Sequence, residues 1–162
     1  MKKSLRKGRQ RANGGVAVEL AVLLPVIVLF VSVVLFFGRV FWHYTVAEKA
    51  AYDAVRFLAS ASAVEFRTQG PGGGKAHVAA IAEAIVKEEI AELYQGGPYV
   101  PAVDVLCDLR SCNGTFVPAK LTVMVSLNIA DPFFDGITSE LAGESEVAIV
   151  LNPAASMPYA EY

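Results

Sequence analysis

The sequence predicts an α+β fold: a long N-terminal transmembrane helix continuing as a stalk, a second amphipathic helix, and a small antiparallel sheet of about three to four strands. Three observations predict it. An uncharged apolar run extends from Leu20 to Phe37, apolar residues recur at helical spacing between Ala76 and Tyr94, and apolar and polar residues alternate strictly from Leu121 to Ile129.

The apolar run comes first. Residues 20 to 37 rise about 1.5 Å each in a helix, roughly 27 Å in all, close to the hydrocarbon thickness of a bilayer. Lys2, Lys3, Arg6, Lys7, Arg9 and Arg11 precede it, and the first 14 residues hold no acid. That one-sided charge keeps the N-terminus cytoplasmic and sends residues beyond about Arg39 across the membrane. A secretory signal fits poorly, because its apolar core is shorter and ends in a small-x-small cleavage site, whereas this run leads into Gly38-Arg39-Val40-Phe41-Trp42. Trp42 and Tyr44 suit either an interfacial aromatic belt or packing against the distal domain. Pro25 removes one backbone bond and can kink the span, which membrane helices tolerate.

Beyond the span, Ala47, Ala50, Ala51, Ala54, Val55, Leu58 and Ala61 recur at three- and four-residue intervals beside Glu48, Lys49, Asp53 and Arg56. One helix is therefore expected from about Gly15 to Phe66. Its narrow small-residue stripe suits the spine of a globular domain, or the close approach of another backbone. Gly70-Pro71-Gly72-Gly73-Gly74 breaks the pattern. It is not a phosphate-binding loop: Ala76 stands where Ser or Thr is required after Lys75, and no strand precedes it. Val78, Ile81, Ile85, Val86, Ile90 and Leu93 then mark an amphipathic helix from Ala76 to Tyr94, stopped by Gly96-Gly97-Pro98.

In the last third, Val103 to Val105, Leu121 to Ile129 and Val147 to Leu151 read as strands. Asn113-Gly114 is the expected tight turn between the first two, and Asp131-Pro132 a turn or short helix before the third. Leu121, Val123, Val125, Leu127 and Ile129 form the expected core face. Cys107 and Cys112 flank the turn. In an oxidising compartment they are placed to close a very short loop, worth roughly 2 kcal/mol on chain-entropy reasoning. A redox-active or metal-binding pair is the other reading, although the spacing is not Cys-x-x-Cys and neither His43 nor His77 lies close in sequence.

The organisation that follows is a basic leader over 1-14, a transmembrane helix and stalk over 15-66, and an extracytoplasmic α+β domain over 67-162. Composition agrees: of 162 residues 54% are hydrophobic, and mean hydropathy is +0.45. Of the 14 basic residues six lie in the leader and eight beyond it, while all 16 acids lie beyond it, so residues 15-162 carry a net −8. Such a domain does not favour nucleic acid or anionic lipid. No catalytic constellation is legible, since two separated histidines and no serine in a nucleophile-elbow context leave only scattered carboxylates. No cofactor and no metal are expected.

Glu19 is the odd residue. A carboxylate near the head of a membrane helix costs on the order of 2.5–3.5 kcal/mol at bilayer centre and less near the surface. It either complements the helix N-terminus at the interface or marks a function. The segment Gly14-Gly15-Val16-Ala17-Val18-Glu19, between a basic leader and an apolar helix, resembles a class III prepilin processing site. That resemblance implies cleavage between Gly14 and Gly15, with Glu19 the fifth residue of the mature chain.

Val16-Ala17-Val18-Glu19-Leu20-Ala21-Val22-Leu23-Leu24-Pro25 resembles the opening of TadE-like proteins, the minor pilins or pseudopilins of the tight-adherence (Flp) pilus. Phe37-Gly38-Arg39-Val40-Phe41-Trp42 and Ala50-Ala51-Tyr52-Asp53-Ala54-Val55-Arg56 are similar to later stretches of that family, with Leu20 for its usual phenylalanine and Ala54 for its usual glycine. The resemblance covers about residues 11-58. It implies a non-enzymatic, single-pass inner-membrane protein, with prepilin peptidase, other pilin and pseudopilin subunits and the membrane as partners, serving pilus assembly, adherence or biofilm formation. The competing expectation is a single-pass anchored binding or enzymatic domain that is never processed.

Overall fold

The computed structural model describes residues 13-70, 73-94, 100-130 and 148-160. The chain divides into two units, one ending at Gly38 and one starting at Arg39. Helix α1, Asn13–Ala59, runs through both. In the first unit it continues unbroken past Pro25, and its apolar side chains from Val16 to Phe37 are almost all exposed. Apolar side chains on every side of a helix have no place against water, so this segment requires an apolar surrounding.

The second unit is α+β. The outer part of α1 is followed by α2, Ala63–Arg67, then α3, His77–Ile90, and a 3₁₀ turn, Ala91–Tyr94. The single helix expected to Phe66 ends instead at Ala59. Ser60 donates its hydroxyl to the Phe57 carbonyl at 2.7 Å, satisfying a terminal acceptor. Ser62 then starts α2, its N–H and hydroxyl both donating to Glu65 Oε2, at 2.7 and 3.0 Å. This local serine and glutamate chemistry competes with helix continuation and wins over the apolar periodicity. The expected Ala76 to Tyr94 helix is present, its last turn tightened to 3₁₀. Gly96-Gly97-Pro98 and Asp131-Pro132 lie outside the described residues.

Among the described residues five strands form one antiparallel sheet: β1 Ala102–Cys107, β2 Arg110–Ser111, β3 Lys120–Ala130, β4 Ala148–Leu151 and β5 Ala154–Pro158. Central β3 has β1 on one side, and both β4 and β5 on the other. Leu127 faces Leu151 and Met124 faces Ala154 in one common register. The pairing thus passes through Asn152 and Pro153 without a slip, and Val125 donates to the Pro153 carbonyl at 2.9 Å. Pro153 has no N–H to return, so one ladder bond is missing and a continuous edge splits into two strands.

Leu121, Val123, Val125, Leu127 and Ile129 are all buried, while Thr122, Met124, Ser126 and Asn128 are half-buried on the opposite face. The buried face of β3, except Ile129, shares one core with Val103, Val105 and Cys107 of β1, Val78, Ala79, Ala82, Val86 and Ile90 of α3, and Phe66 of α2. Ala47, Ala50, Ala51, Ala54, Val55 and Leu58 of α1 are fully buried in that same core. The small-residue stripe is an intramolecular interface. Ala47, Ala50, Ala51 and Ala54 keep that face of α1 narrow, and the core closes over it completely.

Two further elements differ from the sequence expectation. The tight turn of the first hairpin is Asp108-Leu109, with φ of 52° and 64°, rather than Asn113-Gly114. Two residues between paired Cys107 and Arg110, both with positive φ, meet the requirement of the two-residue turn that matches strand twist. Asn113-Gly114 follows β2 instead. There Asn113 Oδ1 accepts from the Thr115 N–H and hydroxyl, at 3.2 and 2.6 Å, and Gly114 takes φ of 79°. The second difference is β5, which no alternation of large apolar residues announced.

Candidate processing and assembly segment

Asn13 opens α1, so Gly14, Gly15 and Glu19 all lie in its first two turns. Gly15 and Glu19 are four residues apart, hence on one helix face, about 6 Å from each other along the axis. Helical side chains lean toward the N-terminus, so the Glu19 carboxylate is directed to the end of the helix at which Gly15 lies. Both residues are exposed, and a side chain at Gly15 would meet no neighbour. The segment therefore presents an exposed glycine, Gly15, with a carboxylate one turn further along.

The apolar helix beyond it is the one helix among the described residues long and apolar enough to cross a membrane, and only 6% of its most apolar window is buried within the protein. Phe41 and Trp42 are exposed just past the C-terminal end of the apolar run, and Tyr44 is partly so. His43, on the opposite side, is buried in the second unit with Nδ1 2.8 Å from the Arg39 carbonyl oxygen.

Cys107 and Cys112 stand in the distal unit and are bonded to each other, with Cα atoms 5.1 Å apart. The bridge closes the β1–β2 hairpin, and its surroundings are tied down from two sides. The Ala76 N–H donates to the Cys112 carbonyl at 2.7 Å, fixing the chain just before α3 to the hairpin. Asp108 accepts from the Lys120 N–H at 2.8 Å and from the Ala119 N–H at 3.0 Å, while its own N–H donates to the Lys120 carbonyl at 2.9 Å. Asp108 thus fastens the hairpin tip to the start of β3. The only sequence signal for that role was an aspartate beside a cysteine, since Asp tolerates positive φ and caps nearby N–H groups.

The distal unit contains no group of three or more His, Cys, Asp or Glu able to hold a metal among the described residues. The 670 Å³ groove at the end of α1 is open and lined by Arg56, Ser60, Ser62, Val64 and Tyr159, with small alanines between.

An exposed apolar helix joined to a disulfide-closed α+β unit is the build of a protein compatible with single-pass membrane anchoring. Residues 14–56 match the family described as TadE-like protein, the family that the N-terminal motifs resemble. No curated protein and no solved structure matches the chain. The family match points to a protein associated with the tight-adherence pilus.

Proposed function

We propose that this chain is a non-enzymatic minor pilin of a tight-adherence pilus, made as a prepilin and cut between Gly14 and Gly15 by a prepilin peptidase. The observation that carries the reading is the coincidence of the family match over 14–56 with a glycine-to-glutamate spacing at the head of an exposed apolar helix. Water adds across the Gly14–Gly15 peptide, freeing the six-cation leader with a new carboxylate and leaving an amine on Gly15. Before the cut, those cations hold the N-terminus at the cytoplasmic face; afterwards the helix carries only the amine and Glu19 near its head.

The anchored chain has its N-terminus in the cytoplasm and its α+β unit outside, where the Cys107–Cys112 bridge is stable. On joining other pilin and pseudopilin subunits, Glu19 accepts a charge-assisted hydrogen bond from the Gly15 amine of a neighbour. In a low-dielectric surrounding such a pair counts for far more than in water. The distal unit serves assembly or adherence through its surface.

Mass measurement of the membrane-extracted protein tests the processing step. The mature chain should lack residues 1-14, and Gly14→Arg should yield only the full-length, membrane-retained precursor. Glu19→Ala should still insert and be cut, yet fail to enter pili. A Gly14→Arg protein with its mature N-terminus at Gly15 would falsify the assignment, and a wild-type chain that keeps its leader would favour an unprocessed anchored domain.

A further inference from the structure

The sheet ends on one side in an edge formed by β4 and β5, which among the described residues pair only with β3. Which backbone groups of that edge face outward follows from the bonding on its inner side. Val125 donates to the Pro153 carbonyl, and Tyr159 donates to the Ala119 carbonyl at 2.8 Å. Odd-numbered residues of the edge therefore address β3. Val150, Asn152, Ala154, Ser156 and Pro158 turn their backbone groups the other way, because both groups of a strand residue point to the same side.

Natural sheets blunt such an edge with lysine, inward charge, bulges or proline. This one has little of that protection. Residues 148-160 carry no charge at all, whereas residues 15-162 as a whole carry a net −8. The register has no bulge. Pro153 spends its missing N–H on the inner side, where it weakens the ladder to β3 and does nothing to blunt the outer edge. Only Pro158, at the end, withholds an outward donor. Val150, Asn152, Ala154 and Ser156 leave four outward N–H groups in a row, and Val150 is 60% exposed.

We infer that this edge pairs with the same edge of a second copy of the chain, antiparallel, joining two sheets into one. The occupant follows from charge and symmetry. Acidic domains repel across most of their surfaces at contact distances below the roughly 8 Å screening length, so a neutral surface is where two copies meet at least cost. A two-fold axis at Ala154 sets Ala154 against itself and Asn152 against Ser156, small and uncharged pairs that put no like charges opposite each other. Anchoring in one bilayer, which rests on the function proposed above, raises the effective concentration of copies for one another.

The test uses the full chain in its own membranes, with a photo-crosslinking benzophenone side chain at Ala154 or, as an exposed control in β1, at Ala102. The Ala154 probe should give an adduct of twice the chain mass, and the Ala102 probe at least tenfold less. Asn152→Lys with Ser156→Lys places lysines opposite lysines and should abolish the adduct, as should Asn152→Glu with Ser156→Glu. Co-expression of the lysine and glutamate variants should restore it, which a folding defect could not do. Carbonate extraction reports anchoring independently, so a failure of the membrane reading is distinguished from a failure of the pairing. No adduct from Ala154 in membrane-retained protein, an adduct of any other mass, or adducts indifferent to the charge variants would overturn the inference.

Discussion

The Tyr159 hydroxyl donates to the Ala61 carbonyl at 2.9 Å, tying the segment after the last strand to the break between α1 and α2. Its ring meets Phe66 edge to face at a centroid distance of 5.1 Å. The stalk helix and the C-terminal edge of the sheet are thereby held at one point, 98 residues apart in sequence.

Tyr159→Phe should keep the ring contact and remove this hydrogen bond, lowering stability by about 1 kcal/mol. Tyr159→Ala also loses the aromatic pair and should cost about 2–4 kcal/mol, given that the ring is only partly buried. Denaturant unfolding of the detergent-solubilised chain measures both. Equal effects would mean that the hydroxyl carries the whole interaction.

The hairpin yields a prediction of opposite sign. Leu109 holds φ of 64° with its side chain 79% exposed, so it bears the left-handed penalty with little packing in return. Leu109→Gly should stabilise the domain by about 0.5–1 kcal/mol, a rise in thermal midpoint of a few degrees. Replacing Cys107 and Cys112 together by serine should cost about 2 kcal/mol, since the closed loop is short. Thiol labelling of the unreduced, denatured parent should find no free cysteine; full labelling would contradict the bridge.

Glu65 supplies a pH dependence. The Ser62 N–H and then the Ser62 hydroxyl hold its carboxyl below the ordinary value of 4.5. A folded-state value lowered in this way gives stability that is fully present above pH 4.5 and fades as pH falls through the depressed value. The parent should therefore be more stable than Glu65→Gln at pH 7, with the difference narrowing as pH falls below 4.5 and through the depressed value. Paired melting curves across that range check the sign. A constant difference would show that the charge on Glu65 is not what stabilises the start of α2.

Elements with a strong period were legible in the sequence. The span from Leu20 to Phe37, the helix around Val86 and the strand through Val125 each repeat one signal over several turns or pleats, and local chemistry does not override it. Short elements were not. Ser60 and Ser62 end a helix through hydroxyl bonds that apolar periodicity ignores, and Asp108-Leu109 makes a turn usually announced by Asn-Gly. The last strand, Ala154–Pro158, contains two prolines in or beside it and small residues, so its strand character comes from pairing with Lys120 to Met124 rather than from propensity. The glycine and glutamate at the head of α1 stand out by their spacing along one helix, whereas Asp108 acts across eleven or twelve positions that only the fold brings together.

The register of β3 is the last point at which burial makes a sharp demand. Val125 is fully buried between Val103 of β1 and the Pro153 position of the edge, and Ser126 beside it is half-buried on the outer face opposite Ala102. Val125→Asp puts an unpaired carboxylate into the core, a cost of several kcal/mol in a domain whose whole stability is about 5–15 kcal/mol, so the distal unit should unfold. Ser126→Asp leaves its charge reachable by water and should change stability by no more than about 1 kcal/mol. Because side chains alternate, a one-residue slip would exchange the two outcomes. Protease resistance of the membrane-inserted chain reads both variants: rapid cleavage for Val125→Asp and parental resistance for Ser126→Asp are expected. Equal sensitivity at the two positions would instead mean that a second layer covers the outer face in the assembled state.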